Sequence, residues 1–308
     1  MKKTGFIYDE IFLSHKTPKW HPECPERLLS IIEHLKASPI WNKLIHIKPR
    51  KATFQEISAV HNHEYVERIK GMGTGYLDPD TYMSEGSLDA SLYAVGAVLT
   101  AIEGCKNGFI ERAFCAVRPP GHHAEGDKAM GFCIFNNIGV GARYAQAQGY
   151  KKVFIVDFDV HHGNGTQHIF EEDDSVFYFS THQYPHYPGG GDSSEKGRGK
   201  GKGKTFNIPL PSGSGDREYA TSYNEVLPDL MGDFSPDIVL VSSGYDIHVR
   251  DPLSDIRVTN EGIRSIIRGI LSVPEVPYIF SLEGGYDLDS LGECVLITLE
   301  EIFKERLN

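Results

Sequence analysis

Residues 153–166 read VFIVDFDVHHGNGT. The first half is a run of β-branched and aromatic residues that predicts a buried strand over residues 153–160. Side chains alternate along a strand, so Phe154, Val156, Phe158 and Val160 face one side while Asp157, Asp159 and His161 face the other. Two carboxylates and an imidazole at the C-terminal end of a strand describe a metal platform, at the end of an α/β sheet where ligands bind. The competing reading is a pair of hydrogen-bonded acids capping the next helix. Working outward, strand-like runs recur at residues 113–117, 176–180, 237–242 and 278–282, most of them followed by a helical pattern. Strands alternating with helices predict an α/β fold with a parallel sheet covered on both faces. No internal repeat or long linker divides the chain, so residues 1–308 are expected to form a single domain. Residues 86–103 predict an amphipathic helix with Leu88, Leu92, Val95, Leu99 and Ile102 as its buried stripe, stopped at Gly104. Pro25 is expected to open another, with Leu28, Ile31, Ile32 and Leu35 facing the core.

The chain has 308 residues, 40% of them hydrophobic, with 31 Lys+Arg against 42 Asp+Glu and a formal charge of −11. That acidic balance argues against a nucleic-acid partner. No apolar run is expected to reach the roughly 20 residues of a membrane span, so no membrane partner is expected. Asp9 and Glu10 interrupt the apolar stretch of the opening MKKTGFIYDE, which does not read as a signal peptide. The five cysteines, Cys24, Cys105, Cys115, Cys133 and Cys294, are scattered and form no C-x-x-C pair, which predicts neither disulfides nor a thiolate zinc site. A cytoplasmic location is the expectation. Residues 189–204, GGGDSSEKGRGKGKGK, must be loop. The four lysines and one arginine in that loop invite a phosphate or nucleic-acid reading, but no aromatic is interleaved for base stacking, which favours solvated surface charge.

Three further segments carry chemistry. Residues 237–252, DIVLVSSGYDIHVRDP, are a second buried strand that ends in small residues and Asp246. Asp159, His161 and Asp246 together make three protein ligands with a position left open, a set that suits a catalytic divalent cation, zinc by default. Alone, Asp246 would read as a helix cap or turn residue. Residues 117–137 place adjacent His122 and His123 after a rigid Pro-Pro-Gly turn, so that both can face a cleft as base and acid; the alternative is an exposed His pair. Residues 281–287, SLEGGYD, put Tyr286 after a flexible Gly-Gly, where its hydroxyl could donate to a developing oxyanion or simply sit in a turn.

The motifs HPECPERL (21–28), RPPGHHA (118–124), GFCIFNN (131–137), DFDVHHGNGT (157–166), SGYDIHVRDPL (243–253) and EGGY (283–286) together resemble the zinc-dependent histone deacetylase family, most closely its class II branch and bacterial deacetylase-like relatives. The resemblance runs from about His15 to the C-terminus. It implies an arginase-like α/β fold, with an eight-stranded parallel sheet flanked by helices and the metal at the strand ends. It implies Asp159, His161 and Asp246 as zinc ligands, His122 paired with Asp157, His123 paired with Asn164, and Tyr286 polarising the acyl carbonyl. Class I has Asp where Asn164 stands, and Asn is typical of class II. Gly131, Phe132 and Tyr187 would wall a tunnel for an acyl-lysine stem, with Tyr187 replacing a more usual Phe and Leu253 at the rim. Asp157 and Ser180, with carbonyls around Asp159 and His161, match the structural monovalent-cation site of the family, for potassium.

The resemblance therefore implies a zinc amidohydrolase acting on acyl-lysine in a protein or peptide. Three rivals compete with it. A two-metal ureohydrolase shares the fold but needs a second acid where His248 stands. An acetylpolyamine amidohydrolase shares the zinc site, but the polyamine-selective deacetylases carry an acidic gatekeeper at the position of Leu253. A noncatalytic acyl-lysine binder would not need every catalytic position filled.

Overall fold

The computed structural model describes residues 2–272 and 276–304. The described residues include ten strands: β1 (Thr4–Ile7), β2 (Ile45–Ile47), β3 (Gly75–Tyr76), β4 (Tyr82–Met83), β5 (Arg112–Cys115), β6 (Val153–Asp157), β7 (Val176–Gln183), β8 (Thr205–Leu210), β9 (Ile238–Ser243) and β10 (Tyr278–Leu282). Eight of them form one sheet in the order β2-β1-β5-β10-β9-β6-β7-β8, every pair parallel, while β3 and β4 make a small antiparallel hairpin. Every residue of β5, β6, β9 and β10 is buried, as expected of strands covered by helices on both faces. Those four are consecutive neighbours in the middle of the sheet, although they come from distant parts of the chain. Their C-terminal ends therefore open side by side, and they lead into the motifs RPPGHH, EGGY, SGYD and DFDVHH. The parallel eight-stranded single domain is the architecture that the motifs imply.

The departures from the sequence reading have local causes. β6 stops at Asp157 instead of running to Val160, because the Asp159 N–H turns back to donate to Asp157 Oδ1 (3.2 Å). The alternation survives without the strand, since Phe158 and Val160 remain in the core. Of the strands that went unread, β1 and β2 are only 4 and 3 residues long, and β8 is an edge strand interrupted by Pro209. The helix Glu26–Lys36 follows Pro25 as expected, with Leu28, Ile31 and Leu35 buried and Ile32 half-buried.

The helix expected over residues 86–103 spans Ser87–Lys106 and passes through Gly104. Gly104 serves close approach instead of termination: its carbonyl accepts from Phe109 and Ile110 N–H, and a Cβ would lie 2.9 Å from Ile110 Cγ1. With 20 residues and an 18-residue window of mean hydropathy 1.3, it is long and apolar enough by length and composition to cross a membrane, contrary to the expectation that no such run exists. Its hydrophobicity has another cause. Ala94, Ala97, Val98, Ala101 and Ile102 pack into the main core, and Leu92, Val95 and Leu99 into a second cluster with Ile57, Tyr65 and Phe135. The helix is buried on most of its circumference, so the single stripe read from the sequence is too narrow a description.

Gly96 tests this packing. In an open helix alanine would be favoured by roughly 1 kcal/mol, but a Cβ here falls 1.8 Å from the Arg50 carbonyl oxygen. Overpacking of this kind costs about 1–3 kcal/mol, so Gly96→Ala should lower the stability in urea unfolding, and a midpoint at or above wild type would contradict the packing described.

Candidate active site

One donor atom each from Asp159, His161 and Asp246 lies within 4.8 Å of the others. His161 Nδ1 is 3.1 Å from Asp159 Oδ1 and 3.1 Å from Asp246 Oδ2, so two loops, after β6 and β9, meet at one ring nitrogen. The remaining lone pairs are fixed by main-chain donors: Val160 N–H to Asp246 Oδ1 (2.9 Å), His161 N–H to Asp159 Oδ1 (2.9 Å) and Gly284 N–H to Asp159 Oδ2 (2.8 Å). The cluster needs the glycines around it. A Cβ on Gly284 would sit 2.1 Å from Asp246 Oδ2, and one on Gly244 would sit 2.0 Å from Asp159 Oδ2.

Burial opposes a charge on His161, yet Asp159 and Asp246 raise its pKa to about 10. Burial and the neighbouring Asp159 push Asp246 up to about 7, while Asp159, despite its burial, is held below the usual carboxylate range by His122 and His161. The donor set therefore draws positive charge to its centre. Two buried carboxylate oxygens and one half-buried imidazole nitrogen, all pinned, fit a divalent cation of zinc's ligand preference.

The loop after β5 brings in the His pair. His122 Nδ1 meets Asp157 Oδ2 at 3.1 Å, and Tyr178 OH donates to the same oxygen (3.2 Å). His123 Nδ1 lies 2.8 Å from Asn164 Oδ1. Asn164 Nδ2 faces the Glu125 carboxylate (2.6 Å), which can only accept, so Oδ1 is left to accept from His123 Nδ1–H. Nε2 of His123 then carries the lone pair. The two rings titrate in opposite directions. Burial would lower His122, but Asp159 and Asp157 raise it to about 10; burial together with His122 and His161 holds His123 well below the ordinary histidine range. Adjacent imidazoles with their pKa values driven apart are a mark of divided acid–base roles.

A cavity of about 110 Å³ leads to this cluster, with His123, Gly131, Phe132, Tyr187, Leu253 and Tyr286 in its wall. Phe132 adopts φ 68° beside Gly131 at φ 56°, and its N–H donates to Thr81 Oγ1 (3.0 Å). A Cβ on Gly131 would fall 2.3 Å from His123 Cδ2, so the Phe132 wall can approach the base only because residue 131 is glycine. Tyr187 stands edge-on to His123 with ring centroids 5.2 Å apart, and Phe132 stands edge-on to Tyr286 at 5.9 Å. Tyr286 is held by its N–H, which donates to Asp251 Oδ2 (2.6 Å), and by the Arg27 guanidinium 5.0 Å from its ring. Its hydroxyl has no hydrogen-bond partner among the described residues, and burial raises its pKa well above the ordinary phenol range.

Every site residue read from the sequence comes to this region. Asp157 and Ser180 are register partners on β6 and β7. His182 Nε2 faces the Gly191 carbonyl (2.9 Å), which leaves its Nδ1 to accept from Ser180 Oγ (2.9 Å) and leaves the serine lone pairs free for a cation. His248 lies outside the donor cluster. Asp80, in the turn between β3 and β4, was not foreseen, yet it lines the same cavity as the uncharged Leu253, so the cavity wall does carry an acid. Glu125, which orients Asn164, and Arg27, which donates to Gly285 O (2.7 Å) and Glu283 O (2.6 Å), were also missed. The acid-rich turn LDPDT (77–81) was the only sequence signal for Asp80.

Residues 189–204 form no strand and only a short turn of helix at Gly199–Gly201, as expected of a loop, but much of their charge is engaged. Arg198 pairs with Glu171 (2.5 Å), and Lys196 and Lys204 lie over Phe206 and Phe234. Glu195 accepts from Gln167 Nε2 (2.5 Å), whose oxygen meets His162 Nε2 (2.8 Å), so the loop is tied to the residue after His161.

Residues 21–302 match the histone deacetylase domain. The chain is 36% identical to Histone deacetylase 5 of Arabidopsis thaliana over 97% of its own length and 49% of that protein, so it spans about half the length of this plant relative. It is 43% identical to a protein of Methanothermobacter thermautotrophicus named Probable deacetylase, over 88% of this chain and 82% of that one. The crystal structure of the HDA15 HD domain superposes with a TM-score of 0.93 at 37% identity, covering 98% of this chain and 91% of that one. With the fold, the ordered motifs and the donor cluster in agreement, the chain belongs to the histone deacetylase family.

Proposed function

We propose that the protein is a zinc-dependent deacylase that removes acetyl or related acyl groups from lysine side chains. The observation that carries this reading is the convergence on one narrow cavity of a three-donor cluster, a histidine kept neutral and a tyrosine with a free hydroxyl. Asp159, His161 and Asp246 would hold the zinc, whose chemistry there is to polarise the acyl carbonyl and bring the pKa of a water toward roughly 7. His123 Nε2 takes the proton of the attacking water and later delivers it to the leaving amine. Asn164 and Glu125 keep that nitrogen unprotonated and aimed. His122, charged and held by Asp157, stabilises negative charge developing beside it. Tyr286 OH donates to the carbonyl oxygen as it becomes an oxyanion, a contribution of about 3 kcal/mol for one donor. Asp157 and Ser180 offer oxygen donors suited to a structural potassium ion.

For substrate we favour acyl-lysine in a peptide. Phe132 and Tyr187 suit a slim apolar stem, each buried methylene of which is worth roughly 0.8 kcal/mol. Asp80 supports the second reading, an acetylpolyamine substrate, because an acid in the cavity wall attracts a substrate ammonium. A panel of acyl-lysine peptides beside acetylspermidine separates the two. Peptides should win in kcat/KM, and a tenfold preference for the polyamine, about 1.4 kcal/mol, would overturn the assignment. Asp80→Asn should lower any polyamine turnover more than peptide turnover.

Two variants test the site itself. Tyr286→Phe should lower kcat by roughly 100-fold with metal retained, and a kcat within a few-fold of wild type would remove the oxyanion role. Gly284→Ala puts a methyl among the donor oxygens, so the purified variant should carry little zinc while keeping its far-UV circular dichroism; full zinc occupancy would show that the ion is held elsewhere.

A further inference from the structure

Glu283 precedes Tyr286 by three residues and is fully buried. Its Oε2 accepts from two consecutive main-chain donors, Gly121 N–H (2.6 Å) and His122 N–H (3.1 Å). Pro119 and Pro120 have no N–H, so these are the first amide donors of the turn that carries the His pair, and buried donors of this kind need an acceptor. The turn has no slack of its own, since a Cβ on Gly121 would meet Asn137 N at 2.5 Å. The backbone of Glu283 is fixed independently: its N–H donates to Ser243 O (3.0 Å) at the end of β9, and its carbonyl accepts from Arg27 (2.6 Å). One residue thus joins the loops after β5 and β10 to the end of β9.

We propose that Glu283 is a positioning residue that sets the His122–His123 turn against Tyr286 and the Asp246 loop, acting as a two-bond acceptor. The proposal rests on the hydrolytic reading above for its kinetic consequences. What the turn requires is an oxygen at the Oε2 position. Glutamine supplies one, leucine does not, and aspartate is one methylene too short to reach both amides. Oε1 makes no hydrogen bond, which agrees with a role carried by the other oxygen.

The test compares Glu283→Gln, Glu283→Asp and Glu283→Leu in the zinc-loaded protein with an acetyl-lysine peptide. Glu283→Gln should keep kcat within about fivefold of wild type, while the Asp and Leu variants should lose about 50-fold or more in kcat with KM and zinc content unchanged, because a small misplacement of a catalytic group costs this much. Leucine activity within threefold of wild type, equal loss in the Gln and Leu variants, or zinc lost in step with activity would each overturn the proposal. If Glu283→Leu does not fold, the Gln–Asp pair carries the comparison. If wild type hydrolyses no acyl substrate, the hydrolytic reading fails, and amide exchange at Gly121 and His122 decides separately. Faster exchange in Glu283→Asp than in Glu283→Gln supports the positioning role, and equal exchange in both overturns it.

Discussion

Four carboxyl groups, Asp157, Asp159, Asp246 and Glu283, are buried together at the ends of adjacent strands. An unpaired ionised carboxylate costs many kcal/mol to bury, so the surroundings must answer each one. Main-chain N–H groups do much of this. Asp159, Val160, His161, Gly284, Gly121 and His122 each donate to one of the four, and the imidazoles of His122 and His161 supply the positive charge. Amide donors are available in such number only where several strands end together and their loops have left the sheet ladder. The order β5-β10-β9-β6 provides that place.

The same constraint accounts for the glycines. Gly244 and Gly284 pass so close to Asp159 and Asp246 that no side chain fits, and Gly131 lets Phe132 close on His123. A buried set of charges behind the site holds these loops in turn. Glu23 lies between Arg118 and Arg27, with His15 Nε2 3.3 Å away, and Arg27 clamps the carbonyls of Glu283 and Gly285. The site is thus rigid because its acids are buried, and each acid stays buried because the loops around it are fixed.

Much of this was legible in the sequence because strand alternation and motif order are local signals. Asp159, His161 and Asp246 could be placed at strand ends from their apolar neighbours alone. The fold beyond the five readable strands rested on resemblance, since β2 and β8 lie at the edges, where short length and Pro209 weaken the pattern. The membrane-length helix Ser87–Lys106 misled in the opposite sense: its period was visible, but packing against two clusters, which spreads its apolar surface, depends on contacts far away in the chain. Asp80, Glu125 and Glu283 were missed as site residues for a similar reason. All three lie in loops, and only the tertiary structure sets Glu125 against Asn164, Asp80 against the cavity and Glu283 against the His turn.

In the proposed reading, one divalent ion held by Asp159, His161 and Asp246 completes this site for hydrolysis. A zinc titration tests it most directly: metal-stripped protein is given increasing zinc while hydrolysis of an acetyl-lysine peptide is followed. The stripped protein should show no turnover, and activity should rise linearly and saturate at one zinc per chain. Full turnover in the stripped protein, or activity that appears only with the second equivalent, would contradict it.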